Sequence, residues 1–155
     1  MTTVPGWTDG LPYRLFRANQ AVQRLLAQQT THLGVTITQL GFAVHLDALG
    51  RLSGSDLARH FGVSPQSASM ALGGLERLGW VERTPHPVHK RVIWFGVTPL
   101  GSEQAQAGRA ILGQFHAMLE ERLSTSFVSD LQQMLLELSA DLVGEEQPPQ
   151  PLWPA

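Results

Sequence analysis

The chain contains no cysteine. A protein without thiols has no disulfide framework, no cysteine-based zinc site and no thiol redox switch, and a cytoplasmic location is the expectation. Charged residues are also scarce, at 15% of the chain against a usual share of about a quarter. Since 43% of the residues are hydrophobic, the composition argues against disorder and predicts that a partner covers part of the apolar surface.

Long hydrophobic runs are missing as well. No apolar run approaches the ~18 residues that a membrane span needs, and the first 12 residues lack the basic and then apolar pattern of a secretion signal. A length of 155 residues predicts one domain, or one protomer of a small oligomer, with enough chain for a hydrophobic core. We therefore expect a soluble protein with no membrane partner.

Motifs for catalysis and metal binding are absent from the sequence. It has no HExxH, no GxSxG and no glycine-rich phosphate loop. The six histidines fall in separate predicted elements, except that His86 and His89 share a loop, so we expect no close histidine pair. The prediction is a protein that is not an enzyme and that has no metal site and no cofactor.

The net charge of -2 conceals a gradient along the chain. Residues 51–91 carry six basic and three acidic residues, a balance of +3, whereas residues 92–155 carry two basic and eight acidic residues, a balance of -6. A local basic patch is what DNA binding by counterion release requires, and a distant acidic region is screened within ~8 Å at physiological salt. The central segment is thus compatible with nucleic-acid binding, although scattered solvated charge would give the same count.

The first half of the chain shows helical periodicity. Residues 1–11, rich in Gly, Pro and Thr, predict a flexible arm, and the apolar spacing that follows predicts a long helix ending after Leu33. Thr36 with Gln39 forms a capping box for a second helix through Leu49. A second capping box, Ser53 with Asp56, starts a short third helix.

The middle of the chain predicts a helix-turn-helix followed by a hairpin. Ser64 is a suitable N-cap and Pro65 a suitable first residue for a helix that ends at Gly79. Helix, glycine-containing turn and helix together form a helix-turn-helix. From Trp80 the apolar residues repeat at every second position. This pattern predicts strands at Trp80–Arg83 and Arg91–Val97, with Ile93, Phe95 and Val97 on one face.

Two more helices are predicted after the hairpin. Thr98 and Pro99 cap a long helix, and a last helix has apolar residues in register from Phe127 to Leu142. Residues 144–155 include four prolines and are predicted to be a disordered tail.

This order of elements resembles the winged-helix regulators of the multiple-antibiotic-resistance regulator (MarR) family. Residues 52–101 are similar to that family's core, from its short helix through the recognition helix and wing into the fifth helix. Four short sequence motifs carry the resemblance: Asp56-Leu57-Ala58, Val63-Ser64-Pro65, Leu75-Glu76-Arg77-Leu78-Gly79, and Val97-Thr98-Pro99 with Gly101.

The resemblance implies a mostly α fold, a winged helix-turn-helix with long terminal dimerisation helices. It assigns residues 12–34 and 99–143 to a helical dimerisation region and residues 36–98 to a DNA-binding lobe. It further implies a homodimer on a pseudo-palindromic operator in double-stranded DNA, and many members of the family are repressors that a small aromatic or phenolic ligand releases. We therefore expect a sequence-specific repressor.

The predicted DNA contacts lie on the outward face of the recognition helix and at the tip of the wing. The sequence departs from the family at Met70, where an arginine is common, and at Gly73 and Gly74, where larger polar residues are usual. At the wing tip the family has an Asp and two Arg where this chain has a histidine and two cations. This histidine either makes the order of the wing depend on pH or is a solvated loop residue, and the sequence favours the second interpretation. The predicted contacts are Ser64, Pro65, Gln66, Ser67, Ser69 and Met70 in the helix and His89, Lys90 and Arg91 in the wing.

An effector pocket is implied where the first, second and fifth helices meet. Phe16, His32, Phe42 and His45 are the residues predicted to lie near it. The departures from the family also leave an alternative open, a winged-helix module for protein interactions with weak or no DNA binding. In that case Trp94, predicted on the outer face of the hairpin, and the tail would serve protein contacts.

Overall fold

The computed structural model describes residue 6 and residues 8–143. The other residues of the predicted arm and the whole of the predicted tail, 144–155, lie outside that part of the chain. None of the described helices has the length and apolar character that crossing a bilayer requires. The elements are α1 (Leu11–Thr30), a 3-10 turn (Thr31–Leu33), α2 (Ile37–Leu49), β1 (Leu52–Ser53), α3 (Gly54–His60), α4 (Pro65–Arg77), β2 (Val81–Pro85), β3 (Ile93–Val97), α5 (Pro99–Leu123) and α6 (Thr125–Val143).

The first helix differs from the prediction at both ends. It begins at Leu11, one residue inside the predicted arm, and Pro12 occupies its first turn, where a missing N–H costs nothing. It ends at Thr30 and tightens into the 3-10 turn. The hydroxyls of Thr30 and Thr31 donate to carbonyls one turn back, at 3.0 and 2.8 Å, and such bonds compete with regular helix geometry.

The predicted helix caps are confirmed. The hydroxyl of Thr36 accepts the N–H of Gln39 while the Gln39 side chain accepts the N–H of Thr36, and Ser53 and Asp56 make the same reciprocal pair. Ser64 and Thr98 cap α4 and α5, each with proline at the start of the helix. Local chemistry therefore sets where four of the helices begin.

The sheet has three strands rather than the two that the sequence predicts. β1 pairs with β3, with Leu52 opposite Phe95, and the strand order is β1-β3-β2 with antiparallel pairs. β2 begins after Trp80, whose backbone N–H is bonded to the Leu75 carbonyl at 2.9 Å in the turn after α4. β3 begins at Ile93 instead of Arg91, since Val92 belongs to the turn and donates to the His89 carbonyl.

The core lies in the lobe formed by α2, α3, α4 and the sheet, against the first part of α5. The expected common face of β3 is only partly observed: Phe95 is buried and Val97 half-buried, but Ile93 is 36% exposed. Trp94, on the other face, is half-buried because it packs on His86, with ring centroids 4.2 Å apart. The largest fully buried apolar side chains are those of Leu40, Phe42, Leu46, Leu52, Leu57, Leu72 and Leu75.

The lobe is joined to α5 by backbone and side-chain contacts. The hydroxyl of Thr98 donates to the Gly79 carbonyl at 2.6 Å, and its N–H donates to the Trp80 carbonyl at 2.9 Å. A Cβ at Gly101 would overlap that Trp80 carbonyl oxygen. Glycine is therefore required at position 101 for α5 to approach the turn this closely.

An ion pair makes a second connection between α2 and α5. Arg109 Nη2 lies 2.6 Å from Asp47 Oδ2, and the Asp47 side chain is only 14% exposed. Hydrogen bonds from the Ser102 side chain and from Arg109 hold the pKa of Asp47 below its usual value of 3.8. The ionised carboxylate therefore stabilises the packing of α2 on α5.

The long helices carry an apolar face that the other described residues leave uncovered. α6 packs along α5 after a sharp break at Ser124, which has φ 81°. Among positions 125–142 only Val128 is buried. The large apolar side chains exposed on α1, α5 and α6 are Leu11, Phe16, Leu25, Leu100, Leu112, Leu123, Phe127, Leu131, Met134, Leu135, Leu136 and Leu142.

Candidate nucleic-acid interface

The α4 helix divides cleanly into a buried and an exposed face. Ala68, Ala71, Leu72 and Leu75 point into the core. Between them, Ser69 and Met70 are solvent-exposed, with 70% of the Met70 surface accessible, whereas Gly73 is half-buried and Gly74 is buried. All six predicted contacts in this helix are exposed together: Ser64, Pro65, Gln66, Ser67, Ser69 and Met70.

The N-terminus of α4 presents polar groups in a fixed arrangement. Ser64 Oγ accepts the backbone N–H of Ser67 at 3.1 Å, and the two hydroxyl oxygens are 2.9 Å apart. The first backbone N–H groups of a helix have no partner within it, so a helix N-terminus attracts anions such as phosphate. Gln66 and Ser69, also exposed, add side chains that can bond to base edges.

The wing tip is the turn between β2 and β3, and it contains the other three predicted contacts. His89, Lys90 and Arg91 are all exposed. The turn closes through the His86 N–H on the Val92 carbonyl at 2.9 Å and the Val92 N–H on the His89 carbonyl at 2.7 Å. The cations are therefore displayed on a short turn whose backbone is hydrogen-bonded across its base.

A bidentate ion pair fixes the wing relative to α4. Arg83, in β2, donates from Nε and Nη2 to the two carboxylate oxygens of Glu76, at 2.7 and 2.5 Å. The Arg83 guanidinium also lies over the Phe95 ring, 5.7 Å from its centre. A two-point bond of this kind restrains orientation as well as distance.

The positive balance of the lobe can be assigned to particular side chains. Each of the three acids between positions 51 and 91 is paired with an arginine: Asp56 with Arg59, Glu76 with Arg83 and Glu82 with Arg51. The remaining cations of this segment, Arg77, Lys90 and Arg91, are exposed, and none has an ion-pair partner among the described residues. The net charge of +3 thus lies at the end of α4 and at the wing tip.

Two residues that bear on this site were not predicted from the sequence. The first is Arg77, whose position at the end of the predicted recognition helix could have indicated a role in DNA binding. His86 is the other: it is only 1% exposed, and its Nδ1 accepts the backbone N–H groups of Val88 and His89. Its place between Pro85 and Pro87, in a turn, was the sequence signal for a structural role.

The four residues predicted to line an effector pocket do not form one group. Phe42 is fully buried, with its ring 4.8 Å from that of Phe61, and His45 lies 4.7 Å from the same ring. Phe16 is 54% exposed on α1 and His32 is exposed in the 3-10 turn. Within the described residues no ring contact joins either of them to Phe42 or His45.

The expectation that no two histidines are close is wrong. His45 Nε2 and His60 Nε2 are 2.9 Å apart, across the contact between α2 and α3. His45 Nδ1 donates to the Gly41 carbonyl at 3.0 Å, so in the neutral pair His60 is the donor to His45. The helical spacing in the sequence could not predict this histidine pair, because the two positions are separated by a turn and a strand.

Two further features bear on ligands. A cavity of about 390 Å³ at the start of α1 is lined by Thr8, Tyr13, Arg14 and Arg17, none of which the sequence analysis had predicted. In the part of the chain that the structure describes, no three histidine or carboxylate side chains are grouped as a metal ion would need.

The fold and this surface define the class of protein. A helix-turn-helix whose second helix exposes short polar side chains, followed by a hairpin with cations at its tip, is a winged helix-turn-helix. The comparisons with known proteins agree: the family model described as MarR family matches residues 33–92. An uncharacterised HTH-type transcriptional regulator of Mycobacterium leprae is 30% identical over 128 residues, which are 81% of this chain and 86% of that protein.

Solved structures match over most of the chain as well. A mutant MarR from E. coli complexed with operator DNA is 25% identical with a TM-score of 0.76, covering 87% of this chain and 99% of that one. A MarR family protein of Mycobacterium tuberculosis in complex with salicylic acid is 26% identical with a TM-score of 0.66, covering 83% and 96%. The chain belongs to the MarR family of transcriptional regulators.

Proposed function

We propose that this regulator is a homodimeric, sequence-specific repressor that binds double-stranded DNA through α4 and the wing. The observation that carries the proposal is the location of the lobe's surplus charge. Arg77 is exposed at the end of α4, and Lys90 and Arg91 are exposed at the wing tip, while the acids of the same segment are paired with arginines. A local surplus of basic residues releases counterions on contact with DNA phosphates.

The individual roles follow from side-chain chemistry. Gln66 can bond in a bidentate manner to adenine, and Ser67 and Ser69 can bond to base edges or phosphates. Met70 offers an apolar contact for a thymine methyl group. Ser64 and Pro65 place the helix N-terminus against a phosphate, and His89, Lys90 and Arg91 approach the backbone or the minor groove from the wing.

A homodimer is supported by the uncovered apolar face of the long helices. Monomeric soluble proteins rarely expose large contiguous apolar patches, and α6 buries only Val128 among positions 125–142. A second copy of the chain, packed through α1, α5 and α6, would cover this face and display two α4 helices. A two-fold symmetric protein of this type binds a pseudo-palindromic operator with half-sites one helical turn apart.

Regulation by a small aromatic or phenolic ligand is the remaining part of the proposal. It is supported by the relative whose structure contains salicylic acid and by the position of Phe42 and His45 on α2, which packs on both α4 and α5. A ligand bound near this junction would change the separation of the two lobes, and a differential affinity of ~1–3 kcal/mol is enough for release from DNA. The test is titration of an operator complex with salicylate, using the parent and His45→Gln.

Selection of bound sites from a random DNA library tests the function itself. The expected result is a two-fold symmetric motif, whereas recovery of no motif would favour the alternative of a protein-interaction module. Gln66→Ala should then weaken binding to the selected site by about 1–3 kcal/mol while leaving binding to random DNA nearly unchanged.

A charge variant provides the matching comparison. Arg91→Ala should weaken binding to all sequences and lower the salt dependence by about one unit per protomer. Arg122→Ala, which removes an exposed arginine from the end of α5, is the control and should change neither quantity. Equal losses on selected and random DNA for Gln66→Ala would reassign that residue to the phosphate backbone.

A further inference from the structure

The wing turn is organised around one buried histidine. His86 follows the last residue of β2 and is 1% exposed. Its ring lies 4.2 Å from the Trp94 ring and 5.0 Å from the His89 ring. It is thus held in one orientation at the base of the turn that displays Lys90 and Arg91.

The hydrogen bonds of this ring define its protonation. Nδ1 accepts from the backbone N–H of Val88 at 3.1 Å and from that of His89 at 3.0 Å. Both donors are amides, so Nδ1 must carry a lone pair, and the proton of the neutral ring is on Nε2. One imidazole nitrogen therefore satisfies two consecutive backbone groups directly before the two wing cations.

We infer that His86 is a positioning residue for DNA binding, since the neutral Nδ1 holds the backbone at 88–89 so that Lys90 and Arg91 face the DNA. The inference rests on the proposed function.

Two substitutions separate the acceptor from the ring. His86→Asn places an amide oxygen near the position of Nδ1 and therefore keeps the acceptor. His86→Gln reaches the position of Nε2 instead and leaves the N–H groups of Val88 and His89 without their acceptor.

Affinity for the selected operator at about pH 8 is the measurement. We expect His86→Gln to bind about tenfold more weakly than the parent and His86→Asn to bind within about twofold of it, from the usual net worth of two hydrogen bonds. Equal weakening by the Asn and Gln variants would show that only the ring matters, and would overturn the inference.

Hydrogen exchange of the DNA-free protein gives an independent readout. The amides of Val88 and His89 should be protected in the parent and in His86→Asn, and exposed in His86→Gln. Unprotected amides in the parent at about pH 8 would overturn the inference. Failure of the parent to bind any DNA would overturn the proposed function, and the exchange pattern would still decide whether His86 orders the wing.

Discussion

The lobe and the long helices α1, α5 and α6, which together are called the base, bury their apolar residues in different ways. In the lobe, Phe42, Leu57 and Leu72 are fully buried by elements of the same chain. In the base, Phe127, Met134 and their neighbours on α6 are exposed although the helix is regular and amphipathic. The difference teaches that the described residues of one chain bury the apolar side chains of the lobe but leave those of α6 exposed, and this contrast is the physical basis for proposing a dimer.

Two specific contacts join the base to the lobe. Thr98 and Gly101 pack the start of α5 against the turn after α4, and Arg109 forms an ion pair with Asp47 further along α5. Changes in the base, at the junction and in the lobe should therefore have effects of different size.

The largest effect is expected from removing the uncovered helix. Deletion of residues 126–155 removes nearly all of α6, exposes the side of α5 on which it packs and eliminates half of the proposed dimer interface. We expect aggregated or unfolded protein, because the stability of an obligate dimer is inseparable from its association. Circular dichroism and sedimentation velocity are the measurements.

Deletion of residues 144–155 alone is the matched control. It leaves α6 intact and should give a folded dimer. A soluble, well-folded monomer from the longer deletion would contradict the contrast between a self-sufficient lobe and a base that depends on a partner.

The second largest effect is expected at the junction. Gly101→Ala places a Cβ on the Trp80 carbonyl oxygen, and since both groups are backbone-anchored, α5 must move. We expect a loss of about 3 kcal/mol or more in the free energy of unfolding, in the range of severe core overpacking.

Gly113, on the same helix, is the control for glycine removal as such. A Cβ there would meet nothing within 4 Å, so Gly113→Ala should stabilise the protein by about 1 kcal/mol through helix propensity. The stability of both variants is measured by unfolding in urea. Similar urea midpoints for Gly101→Ala and Gly113→Ala would contradict the close approach at Gly101.

A smaller and pH-dependent effect is expected at the ion pair between α2 and α5. Because the pKa of Asp47 is lowered on folding from 3.8, the ionised group contributes stability that is present above pH 3.8 and is lost as the pH falls through the lower folded value. Asp47→Asn should cost about 1–2 kcal/mol at pH 7, and the difference from the parent should shrink on acidification below pH 3.8. Glu103→Gln, an exposed change on α5, should show neither effect.

The smallest effects are expected within the recognition helix, where two adjacent glycines have different surroundings. A Cβ at Gly73 would lie 3.9 Å from Arg77, an ordinary contact, so Gly73→Ala should stabilise the protein by about 0.5–1 kcal/mol. A Cβ at Gly74 would collide with the Gln39 side-chain amide, which bonds to the Ala71 carbonyl and the Thr36 N–H. Gly74→Ala should therefore be neutral or destabilising by a similar amount, and an equal gain for both variants in thermal unfolding would show that Gln39 adapts freely.

Much of the fold follows from short-range chemistry and was predictable. Capping side chains at Thr36, Ser53, Ser64 and Thr98 act within one helical turn, so their patterns can be read directly from the chain. The exposed face of α4 follows from the spacing of its buried residues. β1 was missed because a two-residue strand has no periodicity to detect, and only its pairing with β3 creates it.

The candidate site divides in the same way. The contacts proposed on α4 and at the wing tip were predicted from motif and spacing, and all nine side chains are exposed as that role requires. The assignment of the positive charge to Arg77, Lys90 and Arg91 was not predictable, because it depends on which arginines find acids across the fold. Packing also decided which aromatic rings meet. It groups Phe42 and His45 with Phe61 and His60, whereas Phe16 and His32 take no part in those ring contacts.

The sequence by itself determined where four of the helices begin, which face of α4 is buried, and the family to which the residues of positions 52–101 are similar, since each of these depends on neighbours a few residues apart. Only the tertiary structure decided that Gly101 must approach Trp80, that His45 meets His60, and that His86 accepts the wing's backbone amides next to Trp94. These are contacts set by the packing of separate elements or by the path of a turn, and the one-dimensional pattern of apolar and polar residues does not encode the distance at which two such groups meet.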